Sequence, residues 1–217
     1  VNLYYTIWQK KPLSDSKNIG GTTVYYNVLG LNALHKGIEL DFIYKVLKNL
    51  DFEGLVSLGD WITTSGSTVD IVDDNGVRIN TVDFSAKDVH VGDAAQTQYV
   101  ASLRYSPFKN FFIKPRYTYF AKNYSNFDPL SLTGMYRNHD SWKMPDYGLF
   151  DIYLGYQVKV WKLNVELSGG ITNVLNTVYI TDGLNNGDVN VKNFDATSAT
   201  VYMGMGTRYN LSLKIGF

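Results

Sequence analysis

The last stretch of the chain, ATVYMGMGTRYNLSLKIGF, alternates in character residue by residue and ends on an aromatic. Counting back in twos from Phe217 gives Ile215, Leu213, Leu211, Tyr209, Thr207, Met205, Met203 and Val201. The other set is Gly216, Lys214, Ser212, Asn210, Arg208, Gly206, Gly204, Tyr202 and Thr200. Successive side chains of a strand point to opposite faces, so one face here is nearly all apolar and the other polar or glycine. Ordinary strands run to about five or six residues. A strand that crosses a bilayer inside a barrel must be longer, with lipid on one side and a polar lumen on the other. The pattern predicts one strand over 199–217 in an outer-membrane β-barrel.

Composition agrees with that expectation. Hydrophobic residues make up 45 % of the chain and no apolar run is long enough for a spanning helix. A mean hydropathy of −0.16 is what a barrel gives, because its apolar residues alternate with polar ones. Aromatics reach 15 %, with 17 Tyr, 11 Phe and 4 Trp, as interfacial girdles require. Trp8, Trp61 and Trp161 fall near strand ends, where girdle residues belong. Cysteine is absent, which excludes disulfides, thiolate metal sites and thiol chemistry. The 20 basic and 20 acidic residues cancel, so no global field favours nucleic acid.

The same period-two pattern recurs along the chain, and predicts strands over 1–10, 31–46, 50–63, 96–107, 111–123, 149–160 and 163–172 before the closing one. Pro115 counts against the fifth of these, since proline cannot donate to a ladder. Between strands the connections alternate in length. Residues 11–27, 64–95, 124–147 and 173–198 read as long polar loops, with Pro12 and Gly20-Gly21 as breakers in the first. Residues 47–49, 107–110 and 161–162 read as short turns. Inside 64–95, VDIVDDNGVRIN predicts a local hairpin turning at Asn75-Gly76 in a type I′ turn. Long loops at one end and short turns at the other are the rhythm of a membrane barrel, which a β-sandwich has no reason to follow.

The chemistry-bearing residues give little support to catalysis. The sequence contains no GxSxG elbow, HExxH or P-loop, so neither an enzyme nor a cofactor is expected. His35, His90 and His139 lie too far apart in sequence to suggest a ligand cluster. The carboxylates Glu39, Asp41, Asp51, Glu53, Asp151 and Glu166 all fall on the inward register. Interleaved with Arg104, Lys114, Arg116, Lys159, Lys162, Arg208 and Lys214, they predict a hydrated lumen wall with mixed ion pairs. Asp70, Asp73, Asp74 and Asn75 invite a calcium reading, but aligning Gly76 to the EF-hand glycine puts Ile71 at the first ligand position, so the motif fails. No metal site is expected. Ligand contact belongs on the long loops, and Tyr136, Arg137, His139 and Trp142, with Met135 and Asn138 among them, combine aromatic faces with hydrogen-bonding groups.

Five stretches together resemble the C-terminal end of TonB-dependent outer-membrane receptors: LNALHKGIELDF, VHVGDAAQTQ, SWKMPDYGLFDIYLGY, ITNVLNTVYITDG and TRYNLSLKIGF. Their order and spacing carry the resemblance, which spans essentially all 217 residues and is closer to the general receptor branch than to the glycan-importing branch that pairs with a surface lipoprotein. It implies an all-β fold: an antiparallel transmembrane barrel segment of eight strands, the last third of a plugged barrel of about twenty-two. Residues 1–217 would then be the C-terminal portion of the barrel, without the plug and earlier strands. The chain starts at Val1 inside a strand-like run with no initiator methionine and no signal peptide, as expected of a mature chain or a piece of a longer one. The implied function is TonB-dependent uptake across the outer membrane of a Gram-negative bacterium, with a metal chelate, cobalamin, oligosaccharide or peptide as substrate. The implied partners are outer-membrane lipid, the substrate, TonB through the missing plug, and the barrel-assembly machinery. That machinery would recognise Tyr209, Leu211, Leu213, Ile215 and Phe217 on the last strand. The alternative is a closed eight-stranded barrel acting as anchor or adhesin, and a secreted β-sandwich binding module comes third. Pairing of the first strand with the last would identify the closed barrel, and burial of Leu211, Leu213 and Ile215 between two sheets would identify the sandwich.

Overall fold

Alternation becomes pairing in the computed structural model, which describes residues 1–19, 22–92, 94–185 and 193–217. The strands are β1 (Asn2–Ile19), β2 (Thr22–Leu47), β3 (Leu50–Thr63), β4 (Gly66–Val72), β5 (Arg78–Ser85), β6 (Thr97–Tyr105) and β7 (Phe111–Ala121). They continue with β8 (Asn126–Phe127), β9 (Tyr147–Val160), β10 (Leu163–Thr172), β11 (Ile180–Asn185), β12 (Ala199–Met203) and β13 (Arg208–Gly216). Three short 3₁₀ turns lie at Pro129–Ser131, Gly134–Tyr136 and Ala196–Ser198. No helix among the described residues is long and apolar enough to cross a membrane.

A ten-stranded sheet dominates the fold, ordered β13-β10-β9-β7-β6-β3-β2-β4-β5 with β1 also on β2. Setting aside the β4–β5 hairpin leaves eight strands that pair up and down in chain order, all antiparallel. These correspond one for one to the strands the sequence predicts. Among the described residues β1 pairs with β2 alone and β13 with β10 alone, so this wall is open, with two free edges.

The register sorts the wall into two faces. Leu3 pairs with Ile38 and Ile38 with Leu58; Leu40 pairs with Val56 and Val56 with Tyr99. Ile113 pairs with Leu154, and Val165 sits between Val158 and Ile215. This face is apolar across the eight strands and exposed: Leu211, Leu213 and Ile215 keep 77, 62 and 52 % of their surface, which excludes a sandwich core. Its Lys36–Asp60 ion pair (2.9 Å) lies at the long-loop end, beyond the apolar run Ile38–Val46 of β2. That run of nine residues spans about 30 Å at roughly 3.4 Å per residue, the thickness of a hydrocarbon core. Glu39, Glu53, Arg104, Lys114, Arg116, Asp151, Glu166 and Lys214 share the opposite face.

Aromatic rings cover glycines on neighbouring strands: a Cβ on Gly54 would meet Phe42 Cζ at 2.5 Å, and Phe112 and Tyr153 lie likewise over Gly155 and Gly170. Pro115 is accommodated within β7. Its pairing with Ile152 of β9 holds, while the β6 ladder runs from Ser102↔Arg116 to Tyr105↔Ile113, a gap beside a residue with no N–H.

Several expectations about the strands and turns need correction. Residues 11–27 are not a loop: β1 and β2 continue as a paired hairpin through Ile19↔Thr22, and Gly20-Gly21 lie outside the described residues. Pro12 falls where the register shifts between Lys11 and Leu13, facing a stretch where Gly30 takes φ +110°, so this proline marks a bulge inside a strand. The hairpin at 73–77 is real, but Asn75 is not left-handed; only Gly76 has positive φ (+75°). Asp73 builds the turn, its carboxylate accepting from the N–H of Asn75 (2.9 Å) and Val77 (2.8 Å). Finally, 199–217 is two strands. Thr207 N–H donates to Asn176 Oδ1 (3.2 Å) and Asn173 Nδ2 donates to the Met205 carbonyl (3.2 Å), which ties the Gly204–Gly206 stretch to the preceding loop. Val201 and Met203 therefore belong to β12 beside β11, and the exposed apolar face of the last strand is Tyr209 to Phe217.

Candidate ligand-entry surface

The long-loop end holds the protein's principal hydrophobic core. Val24, Tyr26, Val28 and Leu31 of β2 pack with Val69 and Ile71 of β4, Phe84 of β5, and Ala86, Val89, Leu130, Leu132 and Phe194. The loops thus form a structured cap on the wall. β2 carries both: its lower half lies in the wall and its upper half pairs with β4 from Tyr25↔Val72 to Val28↔Val69.

Polar ties hold the cap together. Asp128 is 3 % exposed, ion-paired to Lys17 and bonded by the Tyr26 hydroxyl (3.1 Å) and the Leu130 N–H (2.9 Å). His90 Nδ1 meets Asp140 Oδ2 at 2.7 Å and its ring stacks on Tyr124 at 4.0 Å. Burial, and then the Asp140, Asp60 and Asp146 carboxylates, push the Tyr124 phenol above its ordinary value.

The loop residues singled out from sequence sit on this cap. Tyr136 closes the 3₁₀ turn Gly134–Tyr136 and its ring contacts Phe194. Arg137 is exposed and ion-paired to Asp83 of β5 (2.5 Å), while His139 stacks on Phe194 at 4.0 Å. Trp142 is half-buried, its carbonyl accepting from Ser125 N–H (2.9 Å). Arg137 and His139 turn exposed edges outward, so the loop is anchored without being buried.

Two features escaped the sequence reading. The first is an aromatic shelf on the polar face, just below the cap. Trp61 stacks on His35 (5.1 Å, 11° between planes), Trp8 lies 6.1 Å from His35, and Trp61 Nε1 donates to the Tyr4 hydroxyl (2.9 Å). Buried Gln96 fixes Trp61 further, accepting from its N–H (2.9 Å) and donating to its carbonyl (3.1 Å). Trp8 and Trp61 are thus not lipid-face girdle residues, since the register puts them with the polar set. Counting parity from Glu39 through Gly37 to His35, and across to Trp61, would have shown it. Trp161, 94 % exposed at a turn, keeps a strand-end position.

The second is a cavity of 420 Å³ between the cap and the top of the wall, lined by Leu13, Leu31, Val91, Phe127, Leu184 and Tyr202 among others. Lower down, the polar face carries the expected mixed ion pairs. Lys114 pairs with Glu53, and Arg116 pairs with Asp151 (2.7 Å) beneath Tyr153. Asp151 also accepts the Asn173 N–H (2.9 Å), which links the wall to the loop after β10. Among the described residues no cluster of three or more metal-ligating side chains occurs.

A family model described as TonB dependent receptor-like, beta-barrel, matches residues 1–174 of the 217. A search of curated proteins gave no match.

Proposed function

Since this chain belongs to the TonB-dependent receptor-like β-barrel family, whose members are outer-membrane transport receptors, we propose that it is the C-terminal portion of such a receptor's barrel. Earlier strands would close the wall and a plug would fill its lumen and engage TonB. One observation carries this reading: among the described residues, an eight-stranded wall with an apolar outer face and an ion-paired inner face has two unpaired edges. In lipid each unsatisfied N–H or C=O at such an edge costs several kcal/mol. The wall therefore calls for further strands on β1 and β13.

The receptor's task on this reading is energised uptake of a scarce small molecule, glycan or peptide. Ligand meets the cap first, and Tyr136, Arg137, His139 and Trp142 are candidate contacts on its rim. The exposed row Tyr209, Leu211, Leu213, Ile215 and Phe217 doubles as lipid contact and as the signal read by the barrel-assembly machinery.

Two measurements test the proposal. The gene upstream of Val1 is expected to encode a plug and further strands. Deleting the gene is expected to abolish uptake of one scarce nutrient, and collapsing the proton-motive force in the intact strain is expected to do the same. A compact, heat-modifiable barrel formed by these 217 residues alone in outer membranes would refute it.

A further inference from the structure

The cavity under the cap has an unusual balance of chemistry. Its walls are mostly apolar, and its only charged lining residues among those described are Lys11 and Asp182. Neither has an ion-pair partner among the described residues. Asp182 is half-buried and its Oδ1 accepts the Gly183 N–H (2.7 Å), which orients the carboxylate and leaves Oδ2 open. Lys11 sits at the β1 bulge beside Pro12, its side chain exposed.

Resting on the transport reading above, we propose that this cavity binds a short zwitterionic peptide with apolar side chains, its carboxylate on Lys11 and its ammonium on Asp182. Desolvation selects this class over its rivals. A hydroxyl-rich sugar would lose more water hydrogen bonds against Leu13, Leu31 and Leu184 than the few uncharged polar lining residues, Asn32, Thr63 and Asn126, replace. A wholly apolar ligand lying against Lys11 and Asp182 would cover both charges and match neither, and a singly charged one would match only one of them. A zwitterion with an apolar body satisfies both walls and charges. The volume of 420 Å³ falls within the range of about 300–1,000 Å³ typical of small-ligand sites. Trp8 pairs in register with Ala33, a lining residue, so occupancy lies next to an intrinsic fluorophore.

The test uses the intact receptor in detergent, with calorimetric titration and tryptophan fluorescence as readouts. The probes are the dipeptide Leu-Phe, its N-acetyl and C-amide derivatives, and maltose. Leu-Phe is expected to bind, each blocked derivative at least tenfold more weakly, and maltose not at all. In Lys11→Met, Leu-Phe and its amide are expected to bind equally; in Asp182→Asn, Leu-Phe and its N-acetyl form are. Both variants preserve the fold, because Lys11 is exposed and asparagine keeps the acceptor for Gly183. Absence of Leu-Phe binding, indifference to blocking the ends, or preference for maltose overturns the proposal. Energised uptake of another ligand without Leu-Phe binding overturns this inference and leaves the transport reading standing. Leu-Phe binding without energised uptake does the reverse.

Discussion

Asp128→Asn is the most informative single change in the cap. Asp128 and Lys17 are 3 % and 11 % exposed, so the pair is buried on both sides. Asparagine still offers an oxygen to the Tyr26 hydroxyl and the Leu130 N–H, and what it removes is the charge that matches Lys17. Stranding one partner of a buried pair costs about 3–5 kcal/mol. At about 1.36 kcal/mol per decade, local opening of the cap becomes roughly 10²–10⁴ times more populated. Amide hydrogen exchange at Val24, Tyr26, Val28 and Leu132 is expected to accelerate by that factor. Exchange at Ile152 and Leu154 in the wall stays unchanged, because the cap opens as a unit apart from it. Lys17→Met combined with Asp128→Asn removes both charges and is expected to recover most of the protection, a non-additivity of about 1–3 kcal/mol. Unchanged exchange in Asp128→Asn, or equal acceleration in cap and wall, would refute the argument.

Three further perturbations probe the wall and its junction with the cap. Leu154→Arg puts a charge on the apolar face and is expected to destabilise folding into vesicles by about 2–4 kcal/mol, whereas Gln157→Arg on the polar face changes urea stability by less than about 1 kcal/mol. Gly54→Ala is expected to be mild because its new Cβ meets the movable tip of the Phe42 ring; Gly66→Ala meets the Phe84 carbonyl at 2.5 Å and is expected to cost about 1–3 kcal/mol, read as protease sensitivity of the β4–β5 hairpin. Gln96→Leu leaves the Trp61 N–H without its side-chain acceptor and is expected to cost about 1–3 kcal/mol, with a shift in Trp61 fluorescence as the readout.

The wall was legible in the sequence because its two faces differ in every pair of residues. Ile38, Leu40, Phe42, Tyr44 and Val46 alternate with Gly37, Glu39, Asp41 and Lys45 for long enough to fix both strand and register. The cap was not legible. Asp128 lies in a polar stretch, and nothing local shows that Lys17, more than a hundred residues away, supplies its counter-ion. The cavity escaped for the same reason: Lys11, Val91, Phe127 and Asp182 come from four segments far apart in the chain. The break after Met203 was missed because Gly204 and Gly206 fit the polar register of a strand as well as they fit a kink.

β2 shows why alternation alone cannot separate lipid from core. Val24, Tyr26 and Val28 are buried in the cap, whereas Ile38, Leu40 and Phe42 keep 38–40 % of their surface on the exposed wall. All six are even-numbered positions of one strand, and both triplets carry the same period-two signature. What differs is the company they keep. The wall run is nine residues long with Glu39 and Asp41 on its back, a face that only a hydrated lumen can solvate. The cap run is five long with Tyr25 and Asn27 between, and it pairs with a second short strand whose Val69 and Ile71 are buried too. The bulge at Lys11–Leu13 and the left-handed Gly30 separate the two halves, and a strand needs such an interruption to pass from one apolar environment to the other. A short alternating run on the loop side of a bulge is therefore the sequence signature of a packed cap, and a long one with a charged back is that of the membrane wall.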